Sequence, residues 1–189
     1  MRTNLDKDGL SLWWKRATIV VMILGFALLV FLTVKSYYTA PPIPDKAVSK
    51  DGQVIFTKAD VQAGQEVFLK YGLMDNGTIW GHGAYLGPDF SAAYLHNLSV
   101  DAQNSLAQTG YQKTYNKLTT PEQQAVQAQV TDLLKENRYD TSSGILTLSQ
   151  EEVDSFHNQI GVWSDYLSSA NSDTGLHKEL ITQPEEIKQ

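Results

Sequence analysis

The feature that most limits the fold of this chain is an uninterrupted apolar run near its N-terminus. Residues 17–34, ATIVVMILGFALLVFLTV, contain no charged side chain over eighteen positions. At about 1.5 Å per residue, a helix of that length crosses most of a membrane hydrocarbon layer, which is about 30 Å thick. Two tryptophans precede the run and two tyrosines follow it, where aromatic rings favour the membrane interfaces. We therefore predict one transmembrane helix over residues 17–36.

A cleaved signal peptide is the alternative interpretation of the same run. The apolar part of such a peptide usually covers about 7–15 residues and is followed by a small-x-small cleavage motif. The run in this chain is longer, and Tyr38-Thr39-Ala40 matches that motif poorly. These differences favour an anchor that stays attached to the protein.

The distribution of cations around the run predicts its orientation. Four Lys or Arg residues precede the run, and only Lys35 closely follows it. Positive charge concentrates on the cytoplasmic side of membrane helices, so we expect residues 1–16 in the cytoplasm. The rest of the chain should then lie on the periplasmic or extracellular side of a bacterial cytoplasmic membrane.

Charge and cysteine content exclude several functions for that outer part. The chain has a net charge of −6, with +3 in residues 1–35 and −9 in residues 36–189. An acidic domain argues against a nucleic-acid partner, which requires clustered Lys and Arg. There is no cysteine, so disulfides, thiol catalysis, cysteinyl metal sites and covalent haem attachment are excluded.

The sequence after the apolar run predicts a small, mainly helical domain. Three prolines make residues 37–50 a stiff spacer, and the domain is expected over residues 51–181. Capping signals predict four helices that begin at Thr57 with Asp60, at Asp89 after Pro88, at Thr120 with Gln123, and at Ser149 with Glu152. Short strands are expected near residues 54–56 and 144–148, and residues 72–87 form a long glycine-rich loop.

The fourth predicted helix carries the clearest apolar stripe of the domain. Its members recur three and four residues apart, as expected for a face buried in the core. They are Val153, Phe156, Ile160, Trp163 and Leu167.

No catalytic or metal site can be assembled from the residue patterns alone. The four histidines do not stand at spacings that pair ligands on one helix face, and no nucleophile or phosphate-binding motif is present. His82 is of interest because it lies inside the glycine-rich loop, although a loop histidine is more often a hydrogen-bonding residue than a catalyst. Its role stays open at this point.

Three segments carry a resemblance to a known family. They are GQEVF at residues 64–68, YGLM at 71–74 and, most specifically, WGHGAYLGPDF at 80–90. Together they resemble the N-terminal part of quinol-dependent nitric oxide reductases, and the resemblance extends to Gln183-Pro184-Glu185-Glu186. It implies a transmembrane helix and a cytochrome-c-like periplasmic domain without haem. It also implies that residues 182–189 begin a helix leading into a further membrane part.

The resemblance locates the positions where related domains attach haem c. In this chain the attachment motif is replaced by Leu73, Met74, Asp75, Asn76 and Gly77. These residues offer neither thiol nor imidazole, so no cofactor is expected in this segment. The former haem pocket is expected to be closed by side chains such as Leu73, Met74, Ile79 and Trp80.

The same resemblance suggests a role for the glycine-rich loop. Gly83 and Tyr85 match positions that approach a calcium shared with the catalytic part, and an oxygen-rich site of that kind suits a hard cation. An equally good alternative is that Gly83 and Tyr85 only shape a tight loop. In either case we expect a docking loop that contacts the membrane part through Trp80, His82, Tyr85 and Asp89.

The function implied by the resemblance is anchoring and docking rather than catalysis. In the family, two nitric oxide molecules are joined into nitrous oxide with electrons from quinol. That reaction uses b-type haems and non-haem iron in membrane helices that this sequence does not contain. The expected partners are therefore the membrane and the haem-bearing part, with quinol reached only through that part. The alternative is a free-standing, membrane-anchored binding or assembly protein, and an independent enzyme is the least favoured interpretation.

Overall fold

The computed structural model describes residues 11–168, 180, 181 and 183–188. Two compact units are present, one up to Ile43 and one from Pro44 onward, and each is described by itself. The predicted cytoplasmic segment 1–16 lies mostly outside the described residues. Thr182, the first residue of the predicted C-terminal helix, also lies outside the described residues.

The first unit is a single long helix, α1, over Leu12–Tyr38. Its apolar side chains are exposed on all sides and none is buried, which is the pattern of a helix that faces lipid. Its mean hydropathy over an 18-residue segment is 2.8. Among the described residues it is the one helix that is long and apolar enough to span a membrane. This agrees with the predicted single-pass anchor.

Helix α1 is longer than the predicted span of 17–36. It begins after Ser11, whose side chain accepts a hydrogen bond from the Trp13 amide at 3.3 Å, and it ends at Tyr38. Thr39 is the C-cap, and the prolines at 41 and 42 follow. A residue before proline disfavours helical backbone, so the helix stops there.

The second unit is mainly helical, as predicted. Its α-helices are Lys58–Lys70 (α2), Phe90–Tyr111 (α3), Thr120–Lys135 (α4) and Gln150–Ser168 (α5). Its strands are Lys46–Val48 (β1), Val54–Thr57 (β2), Thr78–Ile79 (β3), His82–Gly83 (β4), Tyr139–Asp140 (β5) and Ile145–Thr147 (β6). Short 3₁₀ helices cover Leu73–Asp75, Tyr115–Lys117 and Pro184–Lys188.

A four-stranded sheet lies beside the helices in the order β2-β1-β6-β5. Strands β1 and β2 are antiparallel, β1 and β6 are parallel, and β5 and β6 are antiparallel. β2 and β6 confirm the two predicted strands, whereas β1 lies inside the predicted spacer. That spacer is therefore shorter than 37–50, because Ala47 is fully buried and the Asp45 amide donates to Gly144 O at 2.8 Å.

Two predicted helix starts are confirmed by complete capping boxes. At α2, the Thr57 amide donates to the Asp60 carboxylate at 2.7 Å, and the Asp60 amide donates back to the Thr57 hydroxyl oxygen. At α5, the Ser149 amide donates to the Glu152 carboxylate at 2.7 Å, and the Glu152 amide donates to the Ser149 hydroxyl oxygen. Each box satisfies two backbone donors that the first helical turn leaves free.

The predicted start of α4 is wrong by one residue. Thr119, not Thr120, is the N-cap, and Glu122, not Gln123, closes the capping box by accepting from the Thr119 amide at 2.7 Å. Either threonine fits the local pattern. A carboxylate accepts hydrogen bonds more strongly than an amide oxygen does, so the register containing Glu122 is the stable one.

Two clusters of buried apolar side chains are found among the described residues. One joins α3 and α4 and contains Ala102, Ala107, Leu118, Val126 and Val130. The other joins the sheet to α5 through Ala47, Leu148 and Val153. The α5 stripe was expected to be core throughout, and this is wrong beyond Val153. Ile160 is 39% exposed, and the remaining members are only half-buried.

The buried face of α5 is instead polar and is bonded to α3. The Ser155 hydroxyl donates to the Asp101 carboxylate at 2.7 Å, and the Gln159 amide reaches both Ser155 Oγ and the Tyr94 carbonyl at 3.3 and 3.4 Å. One turn further on, the Trp163 indole N–H donates to Gln159 Oε1 at 3.3 Å. This polar ladder fixes the register of α5 on α3, because buried polar groups are costly unless they are paired.

We expect Ser155→Ala to lower the free energy of unfolding by about 1–3 kcal/mol, since the Asp101 carboxylate then faces α5 without its donor. The measurement is urea denaturation of the full chain in mild detergent, followed by circular dichroism. Ser168→Ala, at the exposed end of the same helix, is the control and should stay within about 0.5 kcal/mol of the parent. Equal stabilities for the two variants would contradict the role of the ladder.

Candidate functional site

The glycine-rich loop at residues 72–87 is more ordered than the sequence predicts. It was expected to lack regular structure, but it contains the 3₁₀ turn Leu73–Asp75 and a hairpin in which β3 and β4 pair antiparallel. The hairpin also attaches to the turn, because the Ala84 amide donates to Met74 O at 2.8 Å. The loop is therefore a folded element whose backbone is held by its own hydrogen bonds.

Asp89 is the residue that joins this hairpin to the body of the domain. Its Oδ2 accepts from the Thr78 hydroxyl at 2.8 Å and from the Gly81 amide at 2.6 Å. Its Oδ1 accepts from the Ala92 amide at 2.9 Å and so caps α3. Hydrogen bonds from the backbone of Ala92 and Gly81, and then from the Thr78 side chain, hold the pKa of Asp89 below its ordinary value.

Two glycines of the hairpin are required by close approach. A side chain at Gly77 would lie 2.6 Å from the Phe90 ring, and one at Gly83 would overlap the carbonyl oxygen of Gly77. Gly83 also has a φ of +137°, which residues with side chains rarely adopt. Gly77 and Gly83 are thus explained by packing of the backbone onto itself and onto α3.

The hairpin leaves large aromatic side chains in solvent. Trp80 is 71% exposed and Tyr85 is 85% exposed, and Leu86 beside them is 60% exposed. Trp80 has a φ of +53°, an uncommon and strained backbone conformation for a bulky residue. Isolated exposed apolar residues need no explanation, but a strained tryptophan held outward on a rigid hairpin indicates a contact surface.

The four residues of the predicted docking loop have two different placements. Trp80, His82 and Tyr85 are exposed, and the Tyr85 hydroxyl donates to Gly81 O at 3.2 Å. Asp89 is half-buried, and its carboxylate holds the hairpin from behind. Three of the residues are therefore available for contact, and the fourth positions them.

The five positions that replace the haem attachment motif are split between interior and surface. Leu73, Asn76 and Gly77 are buried, whereas Met74 and Asp75 are exposed. The expectation that Met74 and Trp80 would close the former haem pocket is wrong, because both side chains face solvent. The donor set does not fit covalently attached haem, since none of these positions supplies a thiol or an imidazole.

The calcium alternative rests on few groups of this chain. Gly83 supplies a carbonyl and Tyr85 a hydroxyl, and the nearby Asp89 carboxylate is already engaged by three donors. Among the described residues there is no group of three or more His, Cys, Asp or Glu side chains that could hold a metal. A calcium at this loop would therefore need oxygen ligands beyond the carboxylates that the described residues bring together there.

Two contacts that the sequence did not reveal attach distant segments to the loop and to the end of α2 just before it. The Tyr166 hydroxyl of α5 donates to Asn76 Oδ1 at 2.8 Å and is 90 residues away in sequence. Glu186, in the C-terminal 3₁₀ helix, accepts from Lys70 Nζ at 2.8 Å and from the Tyr71 hydroxyl at 2.7 Å. The Lys70 ammonium is the first cause of the lowered pKa of Glu186. No local pattern marks these pairs, because each depends on how helices pack.

Replacement of Asp89 should release the hairpin. In Asp89→Ala we expect the Gly81 amide to exchange with solvent about ten-fold faster or more, because it loses its carboxylate acceptor. Asp89→Ser keeps an N-cap oxygen for α3 but is too short to hold Gly81, so it should free the hairpin alone. Amide hydrogen exchange of the full chain is the measurement.

The control for this experiment is Asp140→Ala. Asp140 accepts three hydrogen bonds from Ser142 and Ser143 in a separate turn, so its loss should accelerate exchange there and leave Gly81 unchanged. If Gly81 kept its protection in Asp89→Ala, the assigned role of Asp89 would be wrong.

Comparison with protein-family models assigns a family to the second unit. The family model for the NorB cytochrome c-like domain of nitric oxide reductase matches residues 44–189. Its first residue coincides with the start of the second structural unit. A search of curated proteins finds no match to the chain.

Proposed function

The chain belongs to the NorB family of nitric oxide reductase through its cytochrome c-like domain, and from this membership we propose that it is a non-catalytic anchoring and docking segment. In this proposal α1 holds the chain in the membrane. The outer domain contacts a haem-bearing membrane part, which joins two nitric oxide molecules into nitrous oxide. Quinol supplies the electrons to that part, and not to this domain.

The observation that carries the docking role is the exposure of Trp80 and Tyr85 on a hairpin fixed by Asp89. Aromatic residues that are rigid before binding lose little conformational entropy when a partner covers them. Tryptophan and tyrosine are also the residues that most often dominate the binding energy of an interface. The exposed face of the hairpin is therefore suited to bind a second protein or domain.

The proposal also assigns an orientation to α1. Arg2, Lys7, Lys15 and Arg16 precede the apolar run, so the N-terminus is cytoplasmic and the domain is periplasmic or extracellular. A domain without cysteine gains no disulfide staple in that compartment, and the two buried clusters and the polar ladder hold it instead.

Orientation can be tested with single cysteines, since the natural chain has none. Gln129→Cys, on the exposed side of α4, should react with a membrane-impermeant maleimide in intact spheroplasts. Thr3→Cys is the matched control and should react only after lysis. The reverse pattern of labelling would show the opposite orientation and overturn this part of the proposal.

Docking can be tested by co-purification of haem with a tagged chain expressed together with a family haem-bearing membrane part. The parent complex should retain haem and consume nitric oxide with a quinol donor, whereas the chain alone should do neither. Trp80→Ser should reduce the haem recovered per chain about ten-fold, because it removes an aromatic anchor.

Val100→Ser on α3 is the control, since Val100 is also exposed and apolar but lies outside the hairpin. Haem recovery that is unaffected by Trp80→Ser would contradict the docking role. Failure of the parent chain to retain the haem-bearing part would favour the free-standing binding or assembly protein. Tyr85→Phe assayed in calcium-loaded and chelated buffer separates the calcium alternative from a shaping role for the loop.

A further inference from the structure

The part of the apolar α5 stripe that is not buried, beyond Val153, faces a cleft between α2, α3 and α5. Three adjoining cavities of about 310, 570 and 270 Å³ occupy this cleft, and Tyr94 of α3 lines all of them. Phe156 and Ile160 line the first two, and Phe68 and Trp163 line the first and the third. Pockets for small molecules have this size and are mostly apolar with a few polar groups.

The walls of the cleft are held in place by contacts among aromatic rings. Phe90 packs on Phe68 and on Trp163 with ring centres 5.9 and 5.6 Å apart, and Phe56 packs on Phe156 at 5.4 Å. Trp163 is further fixed by its hydrogen bond to Gln159 on the polar ladder. Because these contacts oppose collapse, the cleft is formed before any ligand arrives.

One polar group of the cleft is without a partner in the part of the chain that the structure describes. The Tyr94 side chain is half-buried, no hydrogen bond joins its hydroxyl to a described residue, and the hydroxyl oxygen is open to solvent at the cleft. Burial raises the pKa of Tyr94, so its hydroxyl stays protonated at neutral pH and can donate a hydrogen bond. A ligand oxygen within the cleft would satisfy this donor.

The charges at the cleft exclude one class of ligand. Among the described residues that line the three cavities, the charged ones are Asp60 and Glu186, both acidic, and no described Lys or Arg lines them. An anionic ligand such as a fatty acid would meet these carboxylates, and the cation beside them, Lys70, is already paired with Glu186 at 2.8 Å. We propose that the cleft binds a neutral, lipophilic small molecule whose oxygen accepts a hydrogen bond from Tyr94.

A neutral fluorescent ketone can test this proposal in the full chain. The probe is 6-propionyl-2-dimethylaminonaphthalene, and the reporter is Trp163, made the only tryptophan by replacing Trp13, Trp14 and Trp80 with Phe. In lipid nanodiscs, bound probe should quench Trp163 emission saturably with one site per chain. Probe dissolved in lipid gives only a non-saturating background. Quenching that never saturates would overturn the proposal.

Substitutions on α5 localise the site. Ile160→Glu places a charge in the first two cavities and should lower the affinity for the probe at least ten-fold, whereas Val162→Glu should leave that affinity unchanged. Val162 is a matched control because it is also apolar and exposed on α5 but lines none of the three cavities. Binding that survives Ile160→Glu, or that Val162→Glu removes equally, would show that the probe binds elsewhere.

Two further measurements test the chemistry of the ligand. Tyr94→Phe preserves the ring that packs in the cleft and removes only the hydroxyl. It should raise the dissociation constant of the probe about five-fold, which corresponds to the loss of one hydrogen bond. The anionic probe 1-anilinonaphthalene-8-sulfonate should bind at least ten-fold more weakly than the ketone. Unchanged affinity in Tyr94→Phe would refute the assigned hydrogen bond, and equal affinity for the anion would refute the assigned ligand class.

Discussion

The hydrogen-bonded ladder between α3 and α5 is the constraint on which the rest of the domain depends. Ser155, Gln159 and Trp163 are joined along α5, and Ser155 and Gln159, both almost completely buried, bond across to Asp101 and to the Tyr94 carbonyl of α3. A one-residue slip of α5 would leave several of these groups unpaired in the interior, which costs more than the bonds gain. The ladder therefore fixes both the rotation and the height of α5.

That position of α5 in turn supports the β3–β4 hairpin. Tyr166 lies near the C-terminal end of α5 and reaches Asn76 within the loop, and Phe90 packs between Trp163 and Tyr166. Phe90 is also the residue against which Gly77 closes. The hairpin is thus fixed from the helices and by Asp89, so the strained Trp80 is stabilised by bonds made elsewhere.

The same arrangement explains why an apolar cleft remains open in a domain of this family. Because α5 buries its polar ladder against α3, its apolar stripe faces sideways toward α2 instead of into the core. Neither Met74 nor Trp80 fills the space, since both belong to the outward surface of the loop. The domain therefore has two distinct surfaces, an aromatic hairpin and an apolar cleft.

The sequence alone determined the features that depend on neighbouring residues. The apolar run specified α1, the capping boxes located α2 and α5, and the WGHGAYLGPDF motif identified the family. Features that depend on distant residues were decided only by tertiary structure. Strand β1 exists because it pairs with β2 and with the distant β6, and the α5 stripe is half-exposed because Ser155 and Gln159 find partners on α3. A local sequence pattern shows which hydrogen bonds a segment can make within itself. It does not show which buried group of another element will lie opposite the segment, and such contacts between elements determine the positions of the cleft and the hairpin.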